Sequence, residues 1–183
     1  MDAILADMFP PSRIGYPVIF ARFIGAIILG AVIGFERESK NRPAGLKTHI
    51  MVSLAAACFA VVALESIHIG GFSDTNVQVD PLRVIEAVTA GVAFLAAGTI
   101  VLSRGEIHGI TTGTSLWLAG AVGVSLGFGQ WIIGFGAVLA GFVILFLASK
   151  VETIFGLNGS VPVDDGNAPK VDLPPEEPPE AKR

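Results

Sequence analysis

The chain alternates between long apolar stretches and short polar connections. Five stretches of 17 to 19 residues carry few charges: Pro17–Phe35, Thr48–Leu64, Val84–Leu102, Ile110–Phe128 and Trp131–Ser149. A helix of about 17 to 25 residues crosses a hydrocarbon core of roughly 30 Å. The last two stretches lack the polar face that a helix of a soluble bundle would show. The pattern therefore predicts an all-α membrane bundle of five transmembrane helices.

The distribution of Lys and Arg among the connections predicts the orientation of the bundle. The connection 36–47 carries four of these cations, and the connection 65–79 carries none. Short connections rich in Lys and Arg stay on the cytoplasmic side. We therefore expect the N-terminus outside and the C-terminus inside, with the connection 103–109 and its Arg104 also inside.

The polar ends of the chain divide it into three predicted segments. Residues 1–16 are acidic and contain Pro10-Pro11, so we expect a short external segment and not a cleaved signal peptide. Residues 17–150 form the transmembrane domain. Residues 151–183 are rich in Pro and Glu, which predicts a disordered cytoplasmic tail. That tail is either a solvated tether or a docking peptide for a cytoplasmic partner.

Composition narrows the class of protein. Hydrophobic residues make up 52% and charged residues 15%, with a mean hydropathy of +0.68, whereas soluble domains carry about a quarter charged residues. Residues 1–150 hold nine acids and nine bases, so the net charge of −4 belongs to the tail. These figures disfavour a soluble enzyme and a nucleic-acid binder. The single cysteine, Cys58, excludes an intramolecular disulfide.

Small residues recur at four-residue spacing in three of the predicted helices. Such rows let helix backbones approach closely in lipid. Either they pack the helices of one chain or they form an oligomer interface, and five helices in one chain favour the first. The rows are Ala26/Gly30/Gly34, Gly109/Gly113, Gly123/Gly127 and Ala137/Gly141.

Charged residues near the ends of helices 1 and 3 are candidates for function, because charges at membrane depth are costly. Asp80 precedes Pro81, a pattern typical of a helix N-cap. Arg22 is expected to pair with Glu86, and Arg83 with Asp80. This cluster is either an entry site for a cation or proton, or a salt-bridge lock between the two helices. No acid continues a path through helices 2, 4 or 5, which favours the lock.

Other chemistry is sparse. The three histidines, His49, His68 and His108, lie far apart near helix ends without metal-ligand spacing, so we expect them at the membrane interface. The hydroxyls of 111–115 are expected to hydrogen-bond within and between helices. No nucleophile–base set or phosphate loop occurs, and we expect neither catalysis nor a cofactor.

Several motifs in order resemble a known family. They are Arg22-Phe-Ile-Gly25, Gly34-Phe-Glu-Arg37, Arg42-Pro-Ala-Gly-Leu-Lys-Thr48, residues 91–100, and Arg104-Gly105 with residues 109–117. They resemble the signature of the MgtC/SapB family of bacterial inner-membrane proteins. Ala93 and Ala97 stand where the family commonly has Gly, and Glu86 where a Gln-like residue is usual.

The resemblance implies a multi-pass protein of the bacterial inner membrane. It implies a role in growth under magnesium limitation and, in pathogens, in survival inside macrophages. Members resemble regulators of other membrane proteins more than transporters, with the F-type ATP synthase as one proposed target. Longer members add a soluble C-terminal domain, so this chain resembles the membrane half alone. A homodimer stays open as a second kind of partner.

The resemblance also implies which residues carry the function. The alternative to a regulator is a Mg²⁺ or proton transporter that uses the region of Arg22, Arg83 and Glu86. The expected functional residues are those of the first connection and its flanks (Arg22, Glu36, Arg37, Arg42, Pro43, Gly45 and Thr48), those of helix 3 (Asp80, Arg83, Glu86, Gly91 and Gly98), and Thr111 and Thr112.

Overall fold

Five helices and one short hairpin make up the described part of the chain. The computed structural model describes Ile4, Pro10 and residues 12–66, 80–103 and 106–154. The helices are α1 (Tyr16–Ser39), α2 (Leu46–Ser66), α3 (Pro81–Gly98), α4 (Ile110–Gly127) and α5 (Trp131–Ile154). The strands β1 (Val101–Ser103) and β2 (Glu106–His108) pair antiparallel between α3 and α4.

The helices have the length and composition of membrane spans. The first four are each long and apolar enough to cross a bilayer, and α5 contributes a shorter apolar stretch, Trp131–Leu147. Large apolar side chains point outward, among them Phe94 at 80% exposure and Ile132 at 89%. Exposed apolar patches of this extent suit a lipid surface. The predicted helical membrane bundle is confirmed, and its orientation stays a prediction.

Among the helix ends that differ from the sequence prediction, those of α1 and α3 affect the placement of motif residues. α1 continues to Ser39, so Glu36 and Arg37 belong to its last turn and not to the connection where we placed them. α3 ends at Gly98, four residues before the predicted end at Leu102. Its last turn is closed by Thr99, whose hydroxyl donates to Ala96 O at 2.7 Å. The unpredicted hairpin takes up the residues that follow.

The centre of the bundle is formed by α1, α2 and α4, which approach closely at glycines. A Cβ atom at Gly30 would lie 2.9 Å from the His49 carbonyl oxygen, and one at Gly127 would lie 2.6 Å from Ala60 Cβ. Real Cβ contacts are longer than 3.0 Å. The predicted small-residue rows therefore pack helices of the same chain against one another.

The other two helices lie outside this centre. Within the apolar window of α3 only 6% of residues are buried, against 61% for α4. α3 contacts α4 where Val92 packs on Gly120, and its second buried residue is Ala96. In α5, Gly134 faces Leu126. All contacts described here lie within one of two compact units, Met1–Phe146.

The predicted segment boundaries at residues 16 and 150 stay predictions. Most of the segment 1–16 and all but the first four residues of the segment 151–183 lie outside the described residues.

Candidate functional site

One end of the α1–α2–α4 core contains buried polar side chains, which we call the polar centre. Polar groups inside a membrane bundle are costly unless they are hydrogen-bonded, so their burial marks a candidate site. The polar centre consists of Arg37, His49, Ser53, Thr112 and Ser115, all at most 6% exposed, together with Glu36 beside Arg37.

His49 joins α2 to α4 inside this centre. Its Nδ1 lies 2.8 Å from Gly45 O, and its Nε2 lies 3.0 Å from Ser115 Oγ. Because a carbonyl oxygen only accepts, Nδ1 carries a proton, and in a neutral ring Nε2 accepts from the Ser115 hydroxyl. The residue is 0% exposed, so it lies inside the bundle. Its predicted depth at the membrane interface stays a prediction. Gly34 on α1 leaves room for the His49 side chain, since a Cβ there would lie 3.0 Å from His49 Cβ.

The Ser115 hydroxyl has two acceptors and one proton. Its Oγ also lies 2.8 Å from Thr112 O, one turn earlier in α4. With a neutral His49 the hydroxyl proton points to the ring. With a charged His49 the ring donates to Ser115, and the hydroxyl turns to Thr112 O. The protonation of His49 thus decides the direction of this hydrogen-bond chain.

Glu36 lies between two cations at the end of α1. Its Oε2 accepts from Arg37 Nε at 2.6 Å, and its Oε1 contacts Lys40 Nζ at 2.7 Å. The Arg37 side chain is 3% exposed, and its Nη1 is buried without a hydrogen-bond partner among the described residues. The same is true of Ser53 Oγ. The described residues therefore satisfy the polar centre only in part.

Gly45 has a clear structural role next to this centre. The Glu38 carboxylate accepts from Leu46 N at 2.8 Å, and so satisfies one free N–H at the start of α2. A Cβ atom at Gly45 would collide with Glu38 Oε2. The predicted motif residues Arg42, Pro43 and Thr48 are exposed, and they do not belong to the polar centre.

Arg22 lies at the opposite end of the core. Its Nη1 donates to Gly127 O at 2.7 Å, so the guanidinium satisfies a free carbonyl at the C-terminus of α4. Gly129, with φ of 78°, turns the chain there, and a Cβ atom on it would lie 2.7 Å from Arg22 Nη2. The Arg22 side chain thus binds the C-terminal end of α4.

The predicted pair of Arg22 with Glu86 is not formed, and the predicted lock between helices 1 and 3 is wrong. The reason is the arrangement of the bundle, because α1 packs on α2 and α4 while α3 lies outside them. At the other end of α1, Glu36 forms ion pairs with Arg37 and with Lys40.

The remaining predicted residues of α3 and α4 take separate places. Asp80 caps α3 as predicted, its carboxylate accepting from Leu82 N at 2.9 Å. Arg83 and Glu86 are exposed on α3. At Gly91 and Gly98, a Cβ atom would meet no described atom within 4 Å. Of the two threonines, Thr112 is buried in the polar centre and Thr111 is exposed.

Metal ligands do not cluster in the residues that the structure describes, where no three His, Cys, Asp or Glu side chains come together. His68 and the His108 side chain lie outside the described residues. The polar centre instead offers hydrogen-bond donors, an imidazole and a buried guanidinium.

Comparison with known proteins identifies the family of this chain. The family model described as "MgtC family" matches residues 23–154, a region that includes the whole polar centre. The chain belongs to the MgtC family. This MgtC-family chain is 32% identical over 143 residues to an uncharacterized protein of Haemophilus influenzae, which covers 78% of this chain and 58% of the relative.

Two further relatives have informative names. YhiD of Escherichia coli K12, named as a candidate magnesium transporter, is 34% identical over 65% of this chain and 57% of its own length. Protein MgtC of Brucella abortus is 38% identical over 66% of this chain and 46% of its own length. The chain thus spans about half the length of these relatives. No solved structure matches it.

Sequence reasoning did not place His49 and Ser53 in the bundle interior. It included Ser115 only among the hydroxyls of 111–115 that were expected to form hydrogen bonds, which it does. A usable signal was present, because His49 and Ser53 are four residues apart and share a face of α2. That face meets the glycine row of α1, where Gly30 approaches Ser53. Polar residues opposite a glycine row in an apolar helix are inside the bundle and not at its rim.

Proposed function

We propose that this MgtC-family chain is a non-enzymatic regulator in the bacterial inner membrane, and that it acts on another membrane protein during adaptation to low magnesium. The link to magnesium is supported by family membership and by the relative named as a candidate magnesium transporter. The choice of a regulator over a transporter is supported by the structure of the core.

The observation that favours a regulator over a transporter is that the polar centre ends inside the bundle. Beyond it, the core between α1, α2 and α4 is apolar and closely packed, with Ala26, Ala60, Val122 and Leu126 all fully buried. A path for ions needs polar groups or water along its whole length. Glu86, the acid of helix 3, lies on an exposed surface and not in this core.

The transport alternative is tested with purified full-length chain in liposomes that hold a magnesium-sensitive dye or a pH dye. We expect the influx of Mg²⁺ and of protons to equal that of empty liposomes. Influx above this level that is lost in Glu86→Gln would overturn the proposal and establish transport.

The role of the polar centre is tested by growth in low magnesium. We expect Arg37→Ala to abolish growth support while the protein inserts at normal levels, because the change removes the buried guanidinium and leaves Glu36 without its closest partner. The matched control is Lys47→Ala, which removes an exposed cation at the start of α2 and which we expect to support normal growth. Equal growth of the two variants would contradict a functional polar centre.

The target is identified by crosslinking the wild-type chain in native membranes and sequencing the adducts. The family resemblance predicts recovery of subunits of the F-type ATP synthase. The proposal requires that a membrane protein be crosslinked to wild type and be reduced in Arg37→Ala. Membranes that yield no such protein would speak against regulation by contact.

A further inference from the structure

The outward face of α3 carries a regular row of residues, which we call the α3 seam. The seam consists of Arg83, Ala87, Ala90, Phe94 and Ala97, all exposed. They are spaced four, three, four and three residues apart, which is the spacing of the contact positions in a helix pair. Three of the five are alanines, which let a second backbone approach closely in lipid.

Nothing in the described part of the chain covers this seam. α3 contacts the rest of the bundle through the opposite face, with Val92 and Ala96 as its buried residues. On the flank of the seam, a Cβ atom at Gly91 would meet nothing within 4 Å. This helix face is therefore available to another helix.

Two charges of opposite sign lie at one end of the seam. Arg83 belongs to the seam, and Glu86, three residues later in α3, lies beside the seam. Neither forms an ion pair with another described residue. Arg83 reaches the end of an otherwise apolar groove of about 670 Å³ between α2 and α3. An unpaired charge beside lipid favours an occupant that neutralises it.

We propose that the α3 seam binds the α3 seam of a second copy of this chain, with Arg83 of each chain paired to Glu86 of the other. A twofold axis along the membrane normal brings the same residues of both copies to one depth. Three residues correspond to a rise of about 4.5 Å, which an arginine side chain spans. A lipid phosphate would pair with Arg83 but would leave Glu86 unpaired, whereas a second copy neutralises both. This inference is independent of the proposed role in magnesium adaptation.

Disulfide crosslinking tests the contact itself. In full-length chain carrying Cys58→Ser, we expect Ala90→Cys to form a disulfide-linked dimer in native membranes under mild oxidation. The matched control is Leu139→Cys on α5, which is 68% exposed but lies away from the seam. No dimer with Ala90→Cys, or the same amount with Leu139→Cys, would overturn the proposal.

Charge exchange tests the pairing. Association is measured by energy transfer between labelled full-length chains as they are diluted in phospholipid vesicles. Each single reversal, Arg83→Glu or Glu86→Arg, replaces two attractions with two repulsions, and we expect it to raise the dimer Kd about tenfold. The double variant Arg83→Glu/Glu86→Arg should restore the Kd to about the wild-type value. Absence of rescue would overturn the pairing. Two results would overturn a second copy as the occupant of the seam. One is a crosslink from the seam to a different protein. The other is a wild-type chain that stays monomeric and binds phospholipid that only the Arg83 variant loses.

Discussion

Gly123 is the position where one added methyl group should disturb the bundle most directly. It lies within α4 and faces α2. A Cβ atom there would lie 2.8 Å from the Ser53 carbonyl carbon and 2.9 Å from Ala56 Cβ, and it would collide with the Ser53 carbonyl oxygen. Since the nearest atoms belong to backbone, no side chain can rotate away. Gly123→Ala must move α2 and α4 apart.

The size of the effect follows from these distances. Ordinary van der Waals contact begins at 3.4 Å, so the Ser53 carbonyl carbon alone requires a separation of about 0.6 Å, and its carbonyl oxygen, which lies closer, requires more. Overpacking of a tight interface costs about 1 to 3 kcal/mol. The change from Gly to Ala in a helix gains about 0.5 to 1 kcal/mol of conformational free energy. We therefore expect a net loss of up to about 2.5 kcal/mol in the free energy of unfolding relative to wild type.

The assay is reversible unfolding in mixed micelles with increasing SDS, followed by the helical circular dichroism signal. The matched control is Gly136→Ala, the same chemical change within α5, where a Cβ atom would meet nothing within 4 Å. Helix propensity acts on both variants alike, so their difference isolates overpacking. We expect Gly136→Ala to be at least as stable as wild type, and Gly123→Ala to be about 1 to 3 kcal/mol less stable than this control. Equal stability of the two variants would refute close packing of α2 on α4.

Two further predictions use the same unfolding assay. In a double-mutant cycle of His49→Leu and Ser115→Ala, we expect a coupling of about 1 kcal/mol, because each single change removes the hydrogen bond between α2 and α4; additive losses would show that the two side chains do not interact. For the cap of α3, we expect Asp80→Ala to lose about 1 kcal/mol and Asp80→Ser to retain most of the stability, because only the serine can still accept from Leu82 N. Equal losses in the two Asp80 variants would mean that capping is not the cause.

The fold could be predicted from the sequence because each helix carries its own signal. The uncharged stretch at Trp131 and the Asp80-Pro81 pair both indicate helices without reference to any other part of the chain. The glycine rows indicated close contacts as well. The hairpin between α3 and α4 escaped prediction, since its strands have three residues each and no alternation long enough to read.

The candidate site was predicted only in part. Glu36, Arg37, Gly45 and Thr112 were singled out from motifs, but His49, which contacts Gly45 O and Ser115 Oγ, was not. The cause is that a sequence shows which residues are polar but not which helices are neighbours. Arg22 was expected to pair with Glu86 of helix 3 because their charges are opposite. Its partner is instead a carbonyl oxygen of α4, and a free carbonyl has no signature in the sequence.

The contact between Arg22 and Gly127 also restricts how this protein is made. The two residues are separated by 105 positions, so the acceptor is synthesised long after α1 has left the ribosome. Until α4 arrives, the guanidinium must be held by water, lipid phosphate or the insertion machinery. A fragment that ends after α2 would therefore carry the Arg22 guanidinium without the carbonyl that accepts from it in the whole bundle.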